Sequence, residues 1–433
     1  MTDRKTGGMF AGALGGIGRA LGSRNFALYC SGMGLSLIGS FVFFAALGWV
    51  TWELTNSAAW VGTIVLAETV PNVFIGPFAG VIIERTSAKW ALFWAQLSAA
   101  VIMAVLSVIT FGNWLTIEIL LLFAFLIGLL NGITFPAHFA ILPKLVPRAD
   151  LSAAIAFQSS VSQLARFLGP ALAGVLIIWA GGGMAFAFKS VSYSGFLVAL
   201  LLIDIDESRD RKPISSGIAH DLVAGLRYAW SSIPIRLLLV FAVALGILLR
   251  PVVELMPAYV GIVLKSDAGA LAWLLAAAGV GAMCASLWLA RRGETVGLTR
   301  IMLLNFMITA VILVAFLYFG GLAIGVALLV LYGVCSSAVL ISNQTLIQSA
   351  VEDHMRARVM SLYALTVRAI PALGAFVVGH LADLVGLVSS ILGGAILGLL
   401  FWFWARRWIL GNRVAELIES PESDKPAMPV AGK

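Results

Sequence analysis

Charged residues are scarce in this 433-residue chain: they fill 11% of positions against 61% apolar ones, where a soluble domain carries roughly a quarter and a half. A chain so poor in charge cannot clothe itself in a polar surface, so a soluble globular protein is excluded. Cysteine is nearly missing too. Cys30, Cys284 and Cys335 all fall inside apolar blocks, where they read as small buried hydrophobes rather than a disulfide framework or a metal site. The sequence has no G-x-x-x-x-G-K-S/T phosphate loop and no polar segment long enough for a nucleotide domain, which excludes a primary pump. Neither H-E-x-x-H nor G-x-S-x-G is present to support an intramembrane enzyme, and no cofactor or metal is expected. A cleavable signal peptide is not expected either, because the Gly-rich stretch from Thr6 to Gly22 carries Arg19 and has no strong apolar core.

What the chain does have is apolar blocks of about 20 residues or more, long enough to cross a hydrocarbon core as helices. Their Leu, Ala and Gly content favours helix over barrel strand, so the expected class is an all-α membrane protein. Spans are predicted near 26–52, 58–83, 90–111, 115–143, 151–179, 183–203, 236–264, 268–290, 298–318, 321–349, 357–382 and 386–408. With both termini in the cytoplasm, only Lys265 among the basic residues falls outside, while Arg166, Lys189, Arg250 and Arg368 lie within spans. All other Lys and Arg collect on the inner side, which fixes the orientation by the positive-inside rule and accounts for the net charge of +7 without nucleic acid.

The longest polar interruption divides the chain. The expected organisation is a cytoplasmic N-terminal segment 1–25, a six-helix half 26–203, a cytoplasmic linker 204–235 with an amphipathic helix from Ile218 to Trp230, a second six-helix half 236–408, and a polar, disordered tail 409–433. Gly169 and Gly174 in the fifth span recur as Gly374 and Gly379 in the eleventh at one constant offset, and Gly76 recurs as Gly281. Two parallel repeats related by an axis along the membrane normal are therefore expected.

Gly80-Val81-Ile82-Ile83-Glu84-Arg85-Thr86-Ser87-Ala88-Lys89 resembles the loop signature G-x-x-x-D-R-x-x-R-K of the major facilitator superfamily, with Glu84 in place of Asp and Ala88 in place of a basic residue. Leu142-Pro143-Lys144-Leu145-Val146-Pro147-Arg148-Ala149-Asp150-Leu151 and Ala165-Arg166-Phe167-Leu168-Gly169-Pro170 are similar to the branch of enterobactin exporters and transmembrane secretion effectors. The resemblance implies a twelve-helix facilitator fold, export of a small molecule, and a cytoplasmic gate at Gly80, Glu84, Arg85 and Lys89. Where relatives carry Asn early in the sixth span, this chain has Lys189.

Ionisable groups deep within spans cost ~2.5–3.5 kcal/mol each on insertion scales, so they are candidates for function. Glu68 lies about ten residues into the second span, roughly 15 Å deep at ~1.5 Å per residue. A carboxyl there can load a proton from one side and release it to the other, or it can merely brace helices. Arg250 and Glu254 stand four apart, hence on one face, between Pro251 and Pro257; they are expected to pair, either as a structural bridge or as one that substrate or proton breaks. Glu68 and Glu254 are therefore the candidate proton carriers, with Glu68 preferred because Arg250 occupies Glu254. Asn131 and His138 on the fourth span, Gln163 and Arg166 on the fifth, Lys189, Arg250, Asn343 on the tenth and Arg368 on the eleventh are candidate cavity residues. For His138 helix packing, and for Arg166 gating or packing, are the competing roles. Phe401, Trp402, Phe403 and Trp404 read as facing lipid or the interface.

The function expected is secondary active transport: proton-coupled export, by alternating access, of a small amphipathic or anionic molecule such as a siderophore-like metabolite or a drug. Its partners are then substrate, protons and lipids, without nucleic acid, and the protein is a monomer of the bacterial inner membrane. A non-transporting scaffold or receptor is the alternative, with an intramembrane enzyme behind it.

Overall fold

The computed structural model describes residues 15–204, 218–292, 296–319 and 321–411. Every regular element among them is helical: α1 (Gly15–Leu21), α2 (Arg24–Thr55), α3 (Ala58–Thr86), α4 (Ala88–Phe111), α5 (Ile117–Leu145), α6 (Leu151–Leu202), α7 (Ile218–Ser231), α8 (Ile233–Ala244), α9 (Pro251–Glu254), α10 (Met256–Tyr259), α11 (Ala268–Arg292), α12 (Leu298–Tyr318), α13 (Leu322–Ala350), α14 (Asp353–Val385) and α15 (Leu387–Gly411). Helices satisfy each backbone donor and acceptor internally, which is what a chain in hydrocarbon requires. Eleven of the described helices are long and apolar enough to cross a membrane.

One of the eleven makes two crossings. At ~1.5 Å per residue the 52 residues of α6 would stretch about 78 Å, far beyond a ~30 Å core. The helix breaks at Ala180 (φ −146°) and Gly181 (φ 74°, ψ −179°), a backbone conformation open to glycine alone. The chain reverses there. A Cβ at Gly34 would touch Val161 and one at Gly169 would strike Phe41, so the first arm runs parallel to α2; Gly32 meets Phe196 and Gly182 meets Val50, so the second arm returns antiparallel to it. The predicted fifth and sixth spans are thus the two arms of α6, and the described helices make twelve crossings.

The predicted seventh span is the most broken. It runs through α8, a π-helical stretch Leu245–Leu249, the four-residue α9 and α10, and a second π-helical stretch Val260–Leu264. Pro251 and Pro257 cannot donate to a preceding carbonyl, and Arg250 N–H reaches back five residues to the Leu245 carbonyl oxygen at 3.0 Å. Two sequence expectations change at the surface. Cys284 is exposed whereas Cys30 and Cys335 are buried, since a thiol on a lipid-facing side meets surroundings as apolar as the core. Phe403 and Trp404 face outward, but Phe401 packs on Phe241 and Phe306 at 5.0 and 5.7 Å, and Trp402 Nε1 donates to the Leu303 carbonyl at 2.8 Å.

By contacts the chain sorts into two units, 1–56 with 64–213 and 265–276, and 57–63 with 214–264 and 277–433. The same helix crossing is built once in each. In the first unit a Cβ at Gly128 of α5 would collide with the Glu68 carbonyl oxygen of α3; in the second, one at Gly333 of α13 would collide with the Ala278 carbonyl oxygen of α11. Gly128 and Gly333 keep the offset noted for the other glycines. Gly281 also sits at the second crossing, against Val330, whereas a Cβ at Gly76 would meet open space.

Candidate functional site

Glu68 sits where α3 and α5 touch. Gly128 and Gly132 bracket Asn131 one turn apart on α5, and both lie against α3, at the Glu68 and Asn72 carbonyls and the Ile75 side chain. Without side chains at those two positions the helices close to backbone contact, in the manner of small-xxx-small packing. Asn131 is thereby carried to Glu68. Its Nδ2 donates to Glu68 Oε1 at 2.8 Å, and Thr69 Oγ1 approaches Oε2 at 3.5 Å. Glu68 is only 5% exposed. An amide suits such a partner, because its NH2 can donate to a carboxylate and its oxygen can accept from a carboxylic acid.

Lys189 lies on the returning arm of α6 and is 1% exposed. Its Nζ donates to the Ser36 carbonyl at 3.0 Å and to Ser40 Oγ at 2.7 Å, both on α2, and stands 3.6 Å from the ring centroid of Tyr193. Gly39 makes room for the stem, since a Cβ there would meet Lys189 Cδ at 3.1 Å. Tyr193 lies within coulombic reach of Glu68 as well. His138 is one face along α5, within coulombic reach of Lys189; its Nδ1 is 2.6 Å from Tyr29 Oη and its ring stacks on Phe196 at 5.5 Å. Buried Glu68 and Lys189, with the half-buried Asn131 and His138, therefore bring polar groups of α2, α3, α5 and α6 into one region of the first unit. Sequence reasoning missed Tyr29, Ser36, Ser40 and Tyr193. The four-residue spacing of Ser36 and Ser40 was the available signal.

The arginines of the spans stand differently. Arg166 is exposed, with its guanidinium 5.5 Å from the Phe41 ring, and Arg368 is exposed on α14; Gln163 is half-buried. In the second unit, Arg250 and Glu254 are half-buried, and both act electrostatically on Tyr332, whose hydroxyl donates to the Leu249 carbonyl at 2.9 Å. Asn343 is buried, donating through Nδ2 to the Leu238 carbonyl at 2.8 Å, with Oδ1 unmatched.

At the equivalent crossing of the second unit, Ala278 takes the place of Glu68. The offset that pairs Gly128 with Gly333 also sets Ser336 opposite Asn131. Backbone approach is thus present at both crossings, and a carboxylate at the first alone. Of the four gate residues, the surroundings of Gly80 and the side chains of Glu84 and Arg85 lie outside what is described, while their backbone completes α3. Lys89 Nζ donates to the Ile203 carbonyl at 2.6 Å and so caps the C-terminus of α6, where a cation also suits the helix dipole. Beside it Asn25 Nδ2 donates to the Asp204 carbonyl at 2.6 Å, and Arg19 pairs with Asp150 at 3.1 Å.

Comparison with known proteins agrees with this architecture. The chain is 23% identical over 364 residues to the staphyloferrin A transporter of Staphylococcus aureus, covering 83% of this chain and 90% of that one. It is 22% identical over 362 residues to the multidrug efflux pump Tap of Mycolicibacterium fortuitum, covering 82% and 88%. The crystal structure of the nucleoside transporter NupG superposes with a TM-score of 0.70 at 13% identity, over 88% of this chain and 98% of that one. These relatives are membrane transporters rather than enzymes. With the transmembrane secretion effector pattern matching residues 21–428, the chain belongs to that family of major facilitator superfamily transporters.

Proposed function

We propose that this transporter exports a small amphipathic or anionic molecule by alternating access, driven by proton entry through Glu68. The observation that carries the coupling is a 5%-exposed carboxyl group held by an amide at a helix crossing. Asn131 tolerates both protonation states of its partner, so Glu68 can load and unload without losing its hydrogen bond. Glu254 is the second candidate carrier. It shares its surroundings with Arg250 and Tyr332, a cation and a hydroxyl that leave less reason for its charge to change. The names of the two relatives, a siderophore transporter and a drug pump, support export of a siderophore-like metabolite or a drug. Asn131, His138, Gln163, Arg166, Lys189, Arg250, Asn343 and Arg368 are assigned to the substrate path or its support, and Gly80, Glu84, Arg85 and Lys89 to the cytoplasmic gate.

The test is transport by purified protein in vesicles with an imposed pH gradient, using ethidium and staphyloferrin A in parallel. Uphill movement of either compound that stops when a protonophore collapses the gradient is the expected result. Movement that only follows the compound's own gradient rules the coupling out.

Placement in a bacterial inner membrane with both termini in the cytoplasm follows from the distribution of Lys and Arg. Reporter fusions at Ser216, at Glu294 and beyond Asn412 are expected to read cytoplasmic, and one at Lys265 external. A tail that reads external contradicts the even number of crossings.

A further inference from the structure

The second unit holds a cavity of about 400 Å³ between the start of α3 and the end of α14. Two glycines bring these helix ends together. A Cβ at Gly62 would collide with the Ala375 carbonyl oxygen, and one at Gly379 would strike the Ala58 carbonyl oxygen. The cavity opens beside this contact and is lined by Ser57, Trp60, Thr63, Phe376, His380 and Asp383.

The donor hydrogens of this lining are largely engaged within the protein. Ser57 Oγ donates to Asp383 Oδ2 at 3.4 Å, Thr63 Oγ1 donates to the Ala59 carbonyl at 2.7 Å, and His380 Nδ1 lies 2.9 Å from the Phe376 carbonyl, which can only accept. That bond sets the imidazole tautomer and turns a lone pair on Nε2 outward. What remains for a ligand is a carboxylate, hydroxyl lone pairs and an imidazole nitrogen, with the Trp60 indole N–H as the remaining donor. No Lys or Arg lines the cavity, and none pairs with Asp383 among the described residues. The walls are aromatic: Trp60 is 38% exposed, and the Phe376 and His380 rings lie 4.2 Å apart.

We propose that this cavity binds an organic ammonium cation, an amine or quaternary ammonium carrying apolar substituents. Aromatic faces attract such a cation through their quadrupoles, and one carboxylate supplies the counter-charge. An anion finds neither a cation nor a set of open donors. With the termini cytoplasmic, the cavity faces the outside, where an exported amphipathic amine would be held last before release. Only this placement rests on the export reading; the binding does not.

Binding of tritiated benzyltrimethylammonium to the purified transporter in phosphatidylglycerol nanodiscs, measured at equilibrium, tests the site without transport. Saturable binding is expected, weakened about tenfold or more by Asp383→Asn and by Trp60→Ala, as loss of a counter-charge or a cation–π face predicts. The uncharged isostere neopentylbenzene is expected to bind Asp383→Asn and the parent protein alike. Probe binding that both substitutions leave unchanged overturns the proposal, as does equal weakening for the isostere. Adding phosphatidylcholine distinguishes two occupants of the same chemistry: competition identifies a lipid ammonium headgroup, and its absence a free cation. Failure of this binding leaves export untouched, and failure of pH-driven export leaves the site standing.

Discussion

Uphill efflux is expected to vanish in Glu68→Gln, while exchange of substrate down its own gradient continues. The substitution is a close match in shape. Gln keeps a side-chain oxygen where Asn131 Nδ2 donates at 2.8 Å, so the contact between α3 and α5 has no reason to open. What is lost is the proton that the side chain could carry. With Glu68 as the proposed proton carrier, its removal is expected to leave a facilitator rather than a dead protein. Vesicles with an imposed pH gradient measure this directly: accumulation falls to that of protein-free vesicles, while counterflow of preloaded substrate persists. Glu254→Gln is the companion variant, expected to retain pH-driven accumulation. Full accumulation by Glu68→Gln, or its loss in Glu254→Gln alone, would move the proton to the second unit.

The second large effect concerns packing. Gly128→Leu places four carbon atoms where the Glu68 carbonyl already stands, and the group it meets is backbone, which cannot change rotamer. Overpacking a formed core costs about 1–3 kcal/mol where side chains can yield, and more is expected here. The helices must part, and Asn131 then loses Glu68, so stability and coupling fall together. Gly333→Leu is expected to cost comparable stability through Ala278 without touching a titratable group. Gly76→Leu is the control, since nothing stands within 4 Å of its Cβ position. Thermal unfolding of the three variants in detergent gives the order; similar midpoints for Gly128→Leu and Gly76→Leu would refute the crossing as the site of strain.

The contrast between the two crossings explains how a repeated fold supports an unrepeated chemistry. Backbone approach at Gly128 and at Gly333 is a requirement of helix packing and recurs in both units. Glu68 and Asn131 face Ala278 and Ser336 across the repeat, because packing alone makes no demand for a carboxylate. A buried acid is costly, and it is found at one crossing rather than both.

Hydropathy was enough to place the spans, because transfer of a segment into hydrocarbon is a sum over its own residues. The observed helices begin and end within a few residues of the predicted ones over most of the chain. The break at Ala180 and Gly181 falls in the gap between the predicted fifth and sixth spans, and Pro251 and Pro257, noted beside Arg250 and Glu254, fall in the broken seventh crossing. Glu68, Lys189, Arg250 and Glu254 could be singled out for the same reason, since a charge within an apolar block is conspicuous whatever its neighbours.

Which groups they meet depends on how each helix is turned about its axis, where one residue is about 100°. That rotation is set by contacts far away in sequence: Gly128 and Gly132 against α3, Gly39 and Gly169 along α2. Phe401 and Trp402 turn inward while Phe403 and Trp404 turn out, although all four read alike in sequence. The pairing of Asn131 with Glu68, the seat of Lys189 on Ser36, Ser40 and Tyr193, and the meeting of Trp60 with Asp383 were decided in the same way. The sequence by itself determined a membrane protein of twelve crossings with a few costly charges inside. Tertiary structure alone decided their partners, because a partner is a property of two helix surfaces and is written in neither one.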